Sequence, residues 1–227
     1  MATIIERVLG TDKRAVVKSA LMSVHDFVRI DEETADTTKL YFDESSYIQL
    51  YDSSSSTMSI SLISPNITNV SFSVNNNNHV RIVKSASGDV TFQSNSSIIE
   101  DSKCYRFSLI KCKNGVTGVE KWALHIPVNI STTSGENFYT AFILEDGTDN
   151  VSNTVRHVAD TTSSDQLYCG YNPQAKMVML MPMCALNSEY VSQNTYLMYF
   201  TPRPYNGDTI IGGKHYYCIG FLAMLDE

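Results

Sequence analysis

The glycine-rich segment Gly207–His215 is the part of this chain that most resembles a phosphate-binding loop. Its lysine is displaced by one position, and His215 stands where such loops carry the Ser or Thr that holds magnesium. The residues that follow, Tyr216-Tyr217-Cys218-Ile219, predict a strand instead of the helix that a phosphate loop needs. We therefore interpret the segment as a glycine-assisted turn between two strands.

Two further loops carry residue types that could do chemistry. His157, Asp160 and Ser163 are the residue types of a hydrolase triad, but they lie within one short segment, and the chain has no Gly-x-Ser-x-Gly motif. Residues 145–150 (Glu-Asp-Gly-Thr-Asp-Asn) offer oxygen ligands for calcium, but they lack the spaced alternation of an EF-hand loop. Both patterns are more typical of polar loops between strands.

Metal and cofactor chemistry has no support in the cysteine and histidine spacing. Zinc sites need closely spaced pairs, and the five histidines are scattered singly along the chain. The five cysteines are an odd number and too few for a disulfide framework, so we interpret them as small buried side chains. Carboxylate pairs that meet only in the fold stay open. The sequence predicts no catalytic residue, no cofactor and no metal, and hence a protein that is not an enzyme.

The composition disfavours several classes of partner. The chain of 227 residues has a net charge of −7, and its charged fraction is 18%. Binding to nucleic acid without sequence preference needs clustered Lys and Arg, so no nucleic-acid partner is expected. No segment reaches the roughly 18 apolar residues of a membrane span, and the N-terminus lacks the pattern of a secretory signal. We expect a protein made in a cytoplasm that binds no membrane.

The first 38 residues are predicted to form an N-terminal helix or arm. One amphipathic helix is expected near residues 13–29, because apolar residues recur at the spacing of one helix face. These residues are Val16, Val17, Ala20, Leu21, Val24, Phe27 and Val28. The alternative is that Val16-Val17 and the segment 27–30 belong to strands, since they are β-branched or aromatic.

From residue 39 to residue 227 the pattern predicts a β-sandwich or jelly roll, and the whole chain is therefore predicted to be all-β. Short runs of β-branched and aromatic residues alternate with turn residues such as Asn75–Asn78 and Asn114-Gly115. A subdivision is possible near residues 131–165, which are rich in Ser and Thr. Strands are expected near 39–42, 47–51, 57–63, 69–74, 79–84, 89–93, 103–112, 119–130, 138–144, 154–158, 166–170, 176–184, 195–201 and 214–224.

The C-terminal half contains the strongest signal for packing or binding. Residues 177–184 (Met-Val-Met-Leu-Met-Pro-Met-Cys) are apolar at nearly every position, which predicts a strand buried on both faces in a core or a subunit interface. Most of the 13 tyrosines lie at or beyond residue 168, and tyrosine suits protein interfaces and sugar platforms alike. An ordinary core that uses Tyr and Met is the alternative. The residues that we expect to make contacts are Tyr196, Tyr199, Arg203, Tyr205 and Tyr216.

The pattern as a whole resembles small virion structural proteins of tailed bacteriophages, such as decoration or auxiliary capsid proteins, head fibres and neck or tail components. The shared features are few charges, abundant Ser, Thr and Asn, many short strands and a C-terminus that ends on a strand. The resemblance implies a protein that is made in the host cytoplasm and then assembles in copies, with itself and with other virion proteins. We expect the copies to pack through the aromatic and Met-rich C-terminal half. The alternative function is a receptor- or glycan-binding sandwich module with exposed Tyr and Asn side chains.

Overall fold

The computed structural model describes residues 1–65, 67–95, 105–131, 135–143, 153–156, 179–183, 189–199, 205–220 and 222–227. Within these ranges the chain forms many short antiparallel strands and one helix, α1 (Lys13–Met22), which confirms the all-β prediction. The strands are β1 (Thr3–Val8), β2 (Arg29–Thr34), β3 (Thr37–Tyr41), β4 (Tyr47–Asp52), β5 (Thr57–Ser64), β6 (Ile67–Asn75), β7 (His79–Lys84), β8 (Val90–Asn95), β9 (Tyr105–Asn114), β10 (Glu120–Ser131), β11 (Gly135–Ile143), β12 (Asn153–Arg156), β13 (Met179–Pro182), β14 (Tyr190–Ser192), β15 (Thr195–Tyr199), β16 (Tyr205–Ile211), β17 (Lys214–Gly220) and β18 (Leu222–Leu225).

The strands form three sheets. The N-terminal sheet has the order β2-β3-β4-β5-β6, and the central sheet has the order β1-β7-β8-β9-β10-β11-β12, with β14 paired to β9. The C-terminal sheet has the order β13-β15-β18-β17-β16. Because consecutive strands pair along β2 to β6 and along β7 to β12, both sheets are built on meanders. Among the described strands, β1 and β14 join the central sheet out of chain order, β1 at its edge beside β7 and β14 beside β9.

The N-terminal and central sheets pack face to face around the main core. Met58, Ile60 and Leu62 of β5 are fully buried in it, and the serines between them point away, as their alternation predicts. On the facing sheet, the rings of Phe92 and Phe107 stack with their centroids 5.1 Å apart. This pair of sheets is the sandwich that the sequence predicts.

Helix α1 packs on this core, but it ends earlier than the sequence pattern predicts. Val17, Ala20 and Leu21 are buried in the core. After Met22 the chain turns, and His25 and Phe27 pack against other rings at the end of the sandwich, where His25 lies 5.2 Å from Trp122 between ring centroids. The chain then enters β2, so the apolar residues 27 and 28 serve an aromatic cluster and the approach to a strand instead of a helix face.

The predicted N-terminal segment 1–38 is built into the sheets. β1 pairs with β7 along its whole length, and β2 pairs with β3. The predicted boundary at residue 38 therefore falls inside β3. Lys13 fastens the helix to the same unit, because its buried ammonium donates to the Ser55 carbonyl at 3.2 Å and lies 3.7 Å from Asp52 Oδ1. The possible subdivision near 131–165 lies mostly outside the described residues.

The C-terminal sheet covers the other face of the central sheet, so the molecule has three layers. Val83 of β7 packs against Tyr217, Ile219 and Met224, whereas its neighbour Ile82 faces the main core. Strand β8 is consequently buried on both faces from Val90 to Ser94. A strand buried on both faces was expected at 177–184, but β13 lies at the end of the C-terminal sheet and pairs with β15 alone among the described strands.

The predicted turn Asn75–Asn78 carries the chain from the N-terminal sheet to the central one. Asn78 N donates to the Asn75 carbonyl at 3.1 Å, and Asn77 N donates to the Leu9 carbonyl at 2.7 Å. Asn77 adopts a positive φ of 70°, a conformation that asparagine and glycine tolerate better than other residues.

Replacing Asn77 by Ala is expected to lower the free energy of unfolding by about 1 kcal/mol, because the Cβ of alanine is strained at this φ and alanine lacks the polar side chain that helps asparagine adopt it. Asn77→Gly is the matched control and should change the free energy of unfolding by only a few tenths of a kcal/mol. Urea denaturation followed by circular dichroism measures both values. Equal losses in the two variants would contradict a conformational role for Asn77.

Candidate functional site

The segment that resembled a phosphate loop is a β-hairpin. Ile211 of β16 pairs with Lys214 of β17, and Gly212 and Gly213 form the turn between them with φ values of 59° and 82°. Strand β17 follows where a phosphate loop would start a helix. The prediction of a glycine-assisted turn is confirmed.

The other chemical candidates find no support in the described part of the chain. His157, Asp160 and Ser163, and the acidic segment 145–150, lie outside the described residues. Within the described ranges, no group of three or more His, Cys, Asp or Glu side chains is arranged to hold a metal ion. The buried thiol of Cys218 has its pKa raised to about 12 by burial, so it stays protonated at neutral pH and is not a reactive nucleophile.

The predicted contact residues of the C-terminal half are partly brought together. The rings of Tyr196 and Tyr216 meet edge to face with centroids 5.9 Å apart, on the face of the C-terminal sheet that points away from the central sheet. Tyr216 is only 4% exposed and packs against Cys218 and Ala223, so within a single chain it belongs to a small core. Tyr199 and Tyr205 lie on β15 and β16, and Arg203 lies outside the described residues.

Asp89 joins the central and C-terminal sheets from a buried position just before β8. Its Oδ1 accepts a hydrogen bond from the Lys111 backbone N–H at 2.8 Å, and its Oδ2 accepts one from Thr195 Oγ1 at 2.5 Å. Thr91 continues this polar layer, because its hydroxyl lies 2.8 Å from Ser108 Oγ and contacts the Met224 sulfur at 3.5 Å. Desolvation raises the pKa of Asp89 to about 6, although the two hydrogen bonds act in the opposite direction. These groups hold sheets together and offer no access to a substrate.

Among the strand residues whose exposure the structure describes, β1 carries two of the most exposed large apolar side chains. Ile4 is 45% exposed and Val8 is 60% exposed, and both lie on the same side of the strand. Within the described strands β1 pairs with β7 alone, so its outer edge presents backbone N–H and C=O groups that another strand can bind. The opposite side of β1 is anchored by Ile5, which packs against the main core.

Hydrogen bonds through Asp226 link the start of β1 to His215 of β17, which pairs with the exposed Ile210 of β16. Asp226 joins the two elements, because its Oδ2 accepts from Ala2 N at 2.8 Å and its backbone N donates to the His215 carbonyl at 3.0 Å. His215 is the register partner of Ile210, which is 63% exposed. We define Ile4 and Val8, with the free edge of β1, as the β1 edge surface.

An ion pair borders this surface and holds β1 in place. Glu6 Oε1 lies 2.5 Å from Arg81 Nε on the neighbouring strand β7. The pair occupies the middle of β1, between the two exposed apolar side chains. Because the charge of Glu6 is already neutralised, it does not protect the edge as a lone charge would.

Sequence reasoning missed this surface because it treated the first residues as part of an arm. The signal was present in Thr3-Ile4-Ile5-Glu6-Arg7-Val8, which is rich in β-branched residues. β1 pairs with β7, a strand more than seventy residues later, and such a pairing depends on the tertiary fold and cannot be recognised from the local sequence.

Comparison with protein-family models, with curated proteins and with solved structures found no match to this chain. None of the helical segments that the structure describes is long and apolar enough to cross a membrane. A function has to be inferred from the surfaces of the molecule itself.

Proposed function

We propose that this chain is a non-enzymatic structural protein of a tailed-bacteriophage virion, and that its copies associate through the β1 edge surface. The observation that carries the proposal is the open edge of β1 with Ile4 and Val8 exposed beside it. The composition and the all-β fold support the virion setting, and other virion proteins are the further partners that this setting implies.

An open strand edge favours association because its hydrogen-bonding groups are already aligned for a partner strand. Proteins that stay monomeric usually protect such an edge with lysines, proline or a covering loop. β1 carries the exposed apolar side chains Ile4 and Val8 on one side, and its glutamate is neutralised by Arg81, so its remaining exposed charge is Arg7 on the other side of the strand. In a symmetric pair each contact occurs twice, so a small surface contributes more than its own area suggests.

Copies that pair through β1 are expected to protect the backbone amides of Thr3–Val8 from hydrogen exchange. In a monomer the amides that point away from β7 are open to solvent, and pairing with a second copy places them in hydrogen bonds. Hydrogen–deuterium exchange with mass spectrometry, run on dilute and on concentrated protein, measures the difference. The amides of β16, another strand at a sheet edge, provide an internal comparison. Exchange in β1 that is the same at both concentrations would contradict pairing through this edge.

The virion setting has its own test. Peptides of this chain should be found by mass spectrometry in particles of the encoding phage after density-gradient purification, in a fixed ratio to the major capsid protein. Presence in the infected-cell lysate together with absence from the particles would contradict a virion role and leave the β1 association intact.

A further inference from the structure

The hydrogen bonds around Leu9 show which backbone groups of β1 form its free edge. Leu9 N donates to the Asn78 carbonyl at 2.9 Å, and the Leu9 carbonyl accepts from Asn77 N at 2.7 Å, so both groups point toward the β7 side. In an antiparallel ladder, successive residues direct their N–H and C=O groups to opposite sides of the strand. The odd-numbered residues of β1 therefore bond to β7. The residues whose backbone groups point to the open side are Ile4, Glu6 and Val8.

Two contacts at the open side agree with this assignment. Ala2 is also even-numbered, and its N–H donates to Asp226 Oδ2 at 2.8 Å. The Asp226 side chain is only 6% exposed, so it caps the edge and leaves no N–H at Ala2 for a partner strand. The Glu6 carbonyl accepts from Arg7 Nη1 at 2.7 Å in an exposed contact, which a partner strand would replace. The free edge therefore begins at Ile4.

The side chains that accompany these backbone groups are arranged symmetrically about Glu6. Ile4 and Val8 lie two residues to either side of it, on the same face, and both are exposed and apolar. The order apolar, charged, apolar is the same in both directions along the strand. An antiparallel pair of identical strands reverses that direction, so this pattern is complementary to itself when a twofold axis passes through Glu6.

We propose that two copies pair their β1 strands antiparallel with the twofold axis at Glu6, an inference that rests on the association through β1 proposed above. Ile4 of each copy then lies opposite Val8 of the other, and the two Glu6 residues lie opposite each other. The outward backbone groups from Ile4 to Val8 all find partners in this register. The central sheets of the two copies become one continuous sheet.

The two neighbouring registers use the edge less well. An axis at Ile5 requires a bond to the Ala2 N–H, which Asp226 already holds. An axis at Arg7 places the two Arg7 side chains opposite each other, and like charges directly opposite destabilise a strand pair. An axis at Glu6 avoids both costs.

The axis at Glu6 brings two carboxylates together, and Arg81 compensates their charge. Glu6 Oε1 lies 2.5 Å from Arg81 Nε, and the two residues are register partners on β1 and β7. The Arg81 side chain is only 17% exposed, so its guanidinium is held beside the edge. In the pair, two carboxylates and two guanidinium groups have no net charge. Self-association therefore depends on Arg81, because without it the two Glu6 carboxylates repel each other.

Single cysteines in the full chain test where the axis lies. A residue on the axis lies opposite its own copy, at a Cα separation of about 5.5 Å that suits a disulfide. A residue two positions away is displaced from its copy by roughly 13 Å along the strand, which is too far. Glu6→Cys is expected to give a disulfide-linked dimer on mild oxidation, whereas Ile4→Cys and Arg7→Cys should not. The parent protein, oxidised in the same way, controls for the native cysteines.

A pair of charge variants tests the role of Arg81. Arg81→Met should weaken self-association roughly tenfold at neutral pH, measured by sedimentation equilibrium. Adding Glu6→Gln to the same chain should restore association, because no carboxylates then face each other, and this rescue also shows that the fold is intact. Arg29→Met is the matched control, since Arg29 pairs with Asp31 on the N-terminal sheet, and it should associate like the parent.

The outcomes separate this proposal from the assembly proposal. In a protein that still associates, cross-linking through position 4 or 7, no cross-linking through position 6, or association that Arg81→Met leaves unchanged would overturn the Glu6 axis alone. A parent protein that is monomeric at every concentration would overturn both proposals, because there would be no pair of β1 strands.

Discussion

Lysine at both positions 4 and 8 is expected to make the protein monomeric. In a symmetric pair, Ile4 and Val8 of each copy become buried. Replacing either side chain removes only about 1 kcal/mol of favourable burial, because each is already partly buried within one chain. The four sites together amount to about 4 kcal/mol, a weakening of self-association of more than about 100-fold. Lysines on an edge strand also repel a second copy of the same edge.

The matched control places lysines at Val116 and Val119 in the loop between β9 and β10. These valines are 82% and 48% exposed, so the change in composition is similar, but they lie far from β1 in the sheet order. Sedimentation velocity should give a monomer for the Ile4→Lys, Val8→Lys variant and the parent mass for the control. The control should keep the parent's thermal transition, whereas the monomeric variant should lose the part of the parent's stability that association contributes and have a transition that does not depend on protein concentration. A monomer in both, or an oligomer in both, would contradict the assignment to β1.

Stability is expected to depend on pH through Asp89. Its pKa is raised from 3.8 to about 6 in the folded protein by burial. The folded state therefore binds more protons than the unfolded state between about pH 4 and pH 6. The stability contributed by the protonated form is fully present below pH 3.8 and is lost as the pH rises through about 6. The difference corresponds to about 3 kcal/mol.

Asp89→Asn is expected to remove this pH dependence. The amide is neutral at every pH, its oxygen can accept from the Lys111 N–H, and its nitrogen can donate to Thr195 Oγ1. The free energy of unfolding should therefore be close to that of the parent at pH 4 and higher by up to about 3 kcal/mol at pH 8.

Urea denaturation of the two proteins from pH 4 to pH 8 measures this difference, in which the contributions of all other carboxylates cancel. Lys111 is the charged residue that faces Asp89 from β9, and its ammonium is paired with Glu120 at 2.6 Å. Asp89→Ala is the second variant, and it should be less stable than Asp89→Asn by about 1–3 kcal/mol at every pH, because the Lys111 N–H is left without that acceptor. Parallel pH profiles for Asp89→Asn and the parent would contradict the role of Asp89.

The sequence predicted well those elements whose burial is one-sided. The alternation of apolar residues and serines in β5 identifies its buried residues, because a strand between a core and water alternates apolar and polar side chains. The hairpin at Asn114 was also predicted, since the Asn114 side chain accepts from the backbone of Val116 and Thr117 and closes the turn locally. Such interactions join residues that are close in the sequence, so the sequence pattern predicts them.

The sequence could not predict the elements that depend on the third layer. β8 is buried on both faces, but one of these faces carries the polar residues Thr91 and Gln93. A count of apolar residues therefore predicts burial on both faces for the run at 177–184 and not for β8. The buried hydroxyl of Thr91 is tolerated there because it forms a hydrogen bond with Ser108 Oγ on the neighbouring strand β9. Apolar composition reports burial and not position in the sheet, so the burial of the run at 177–184 in a core or a subunit interface stays a prediction.

The sequence indicated which type of residue forms a candidate surface, but not where in the fold that surface lies. Tyrosine was singled out as a residue of interest, but crowding along the chain drew attention to Tyr196 and Tyr216, whose rings pack together on the C-terminal sheet. Tyr41, Tyr47 and Tyr51 are sparse in sequence and meet only through the register of β3 and β4. Edge position, which defines the β1 edge surface, depends on strand order and has no signature in a single sequence.

The central claim is that copies of this chain associate through β1, and the absolute mass measured by light scattering over a dilution series tests it most directly. The account predicts a discrete species heavier than the 25.3 kDa of one chain at micromolar concentration, reduced to a monomer by lysine at positions 4 and 8. A mass of 25.3 kDa for the parent protein at every concentration would contradict it.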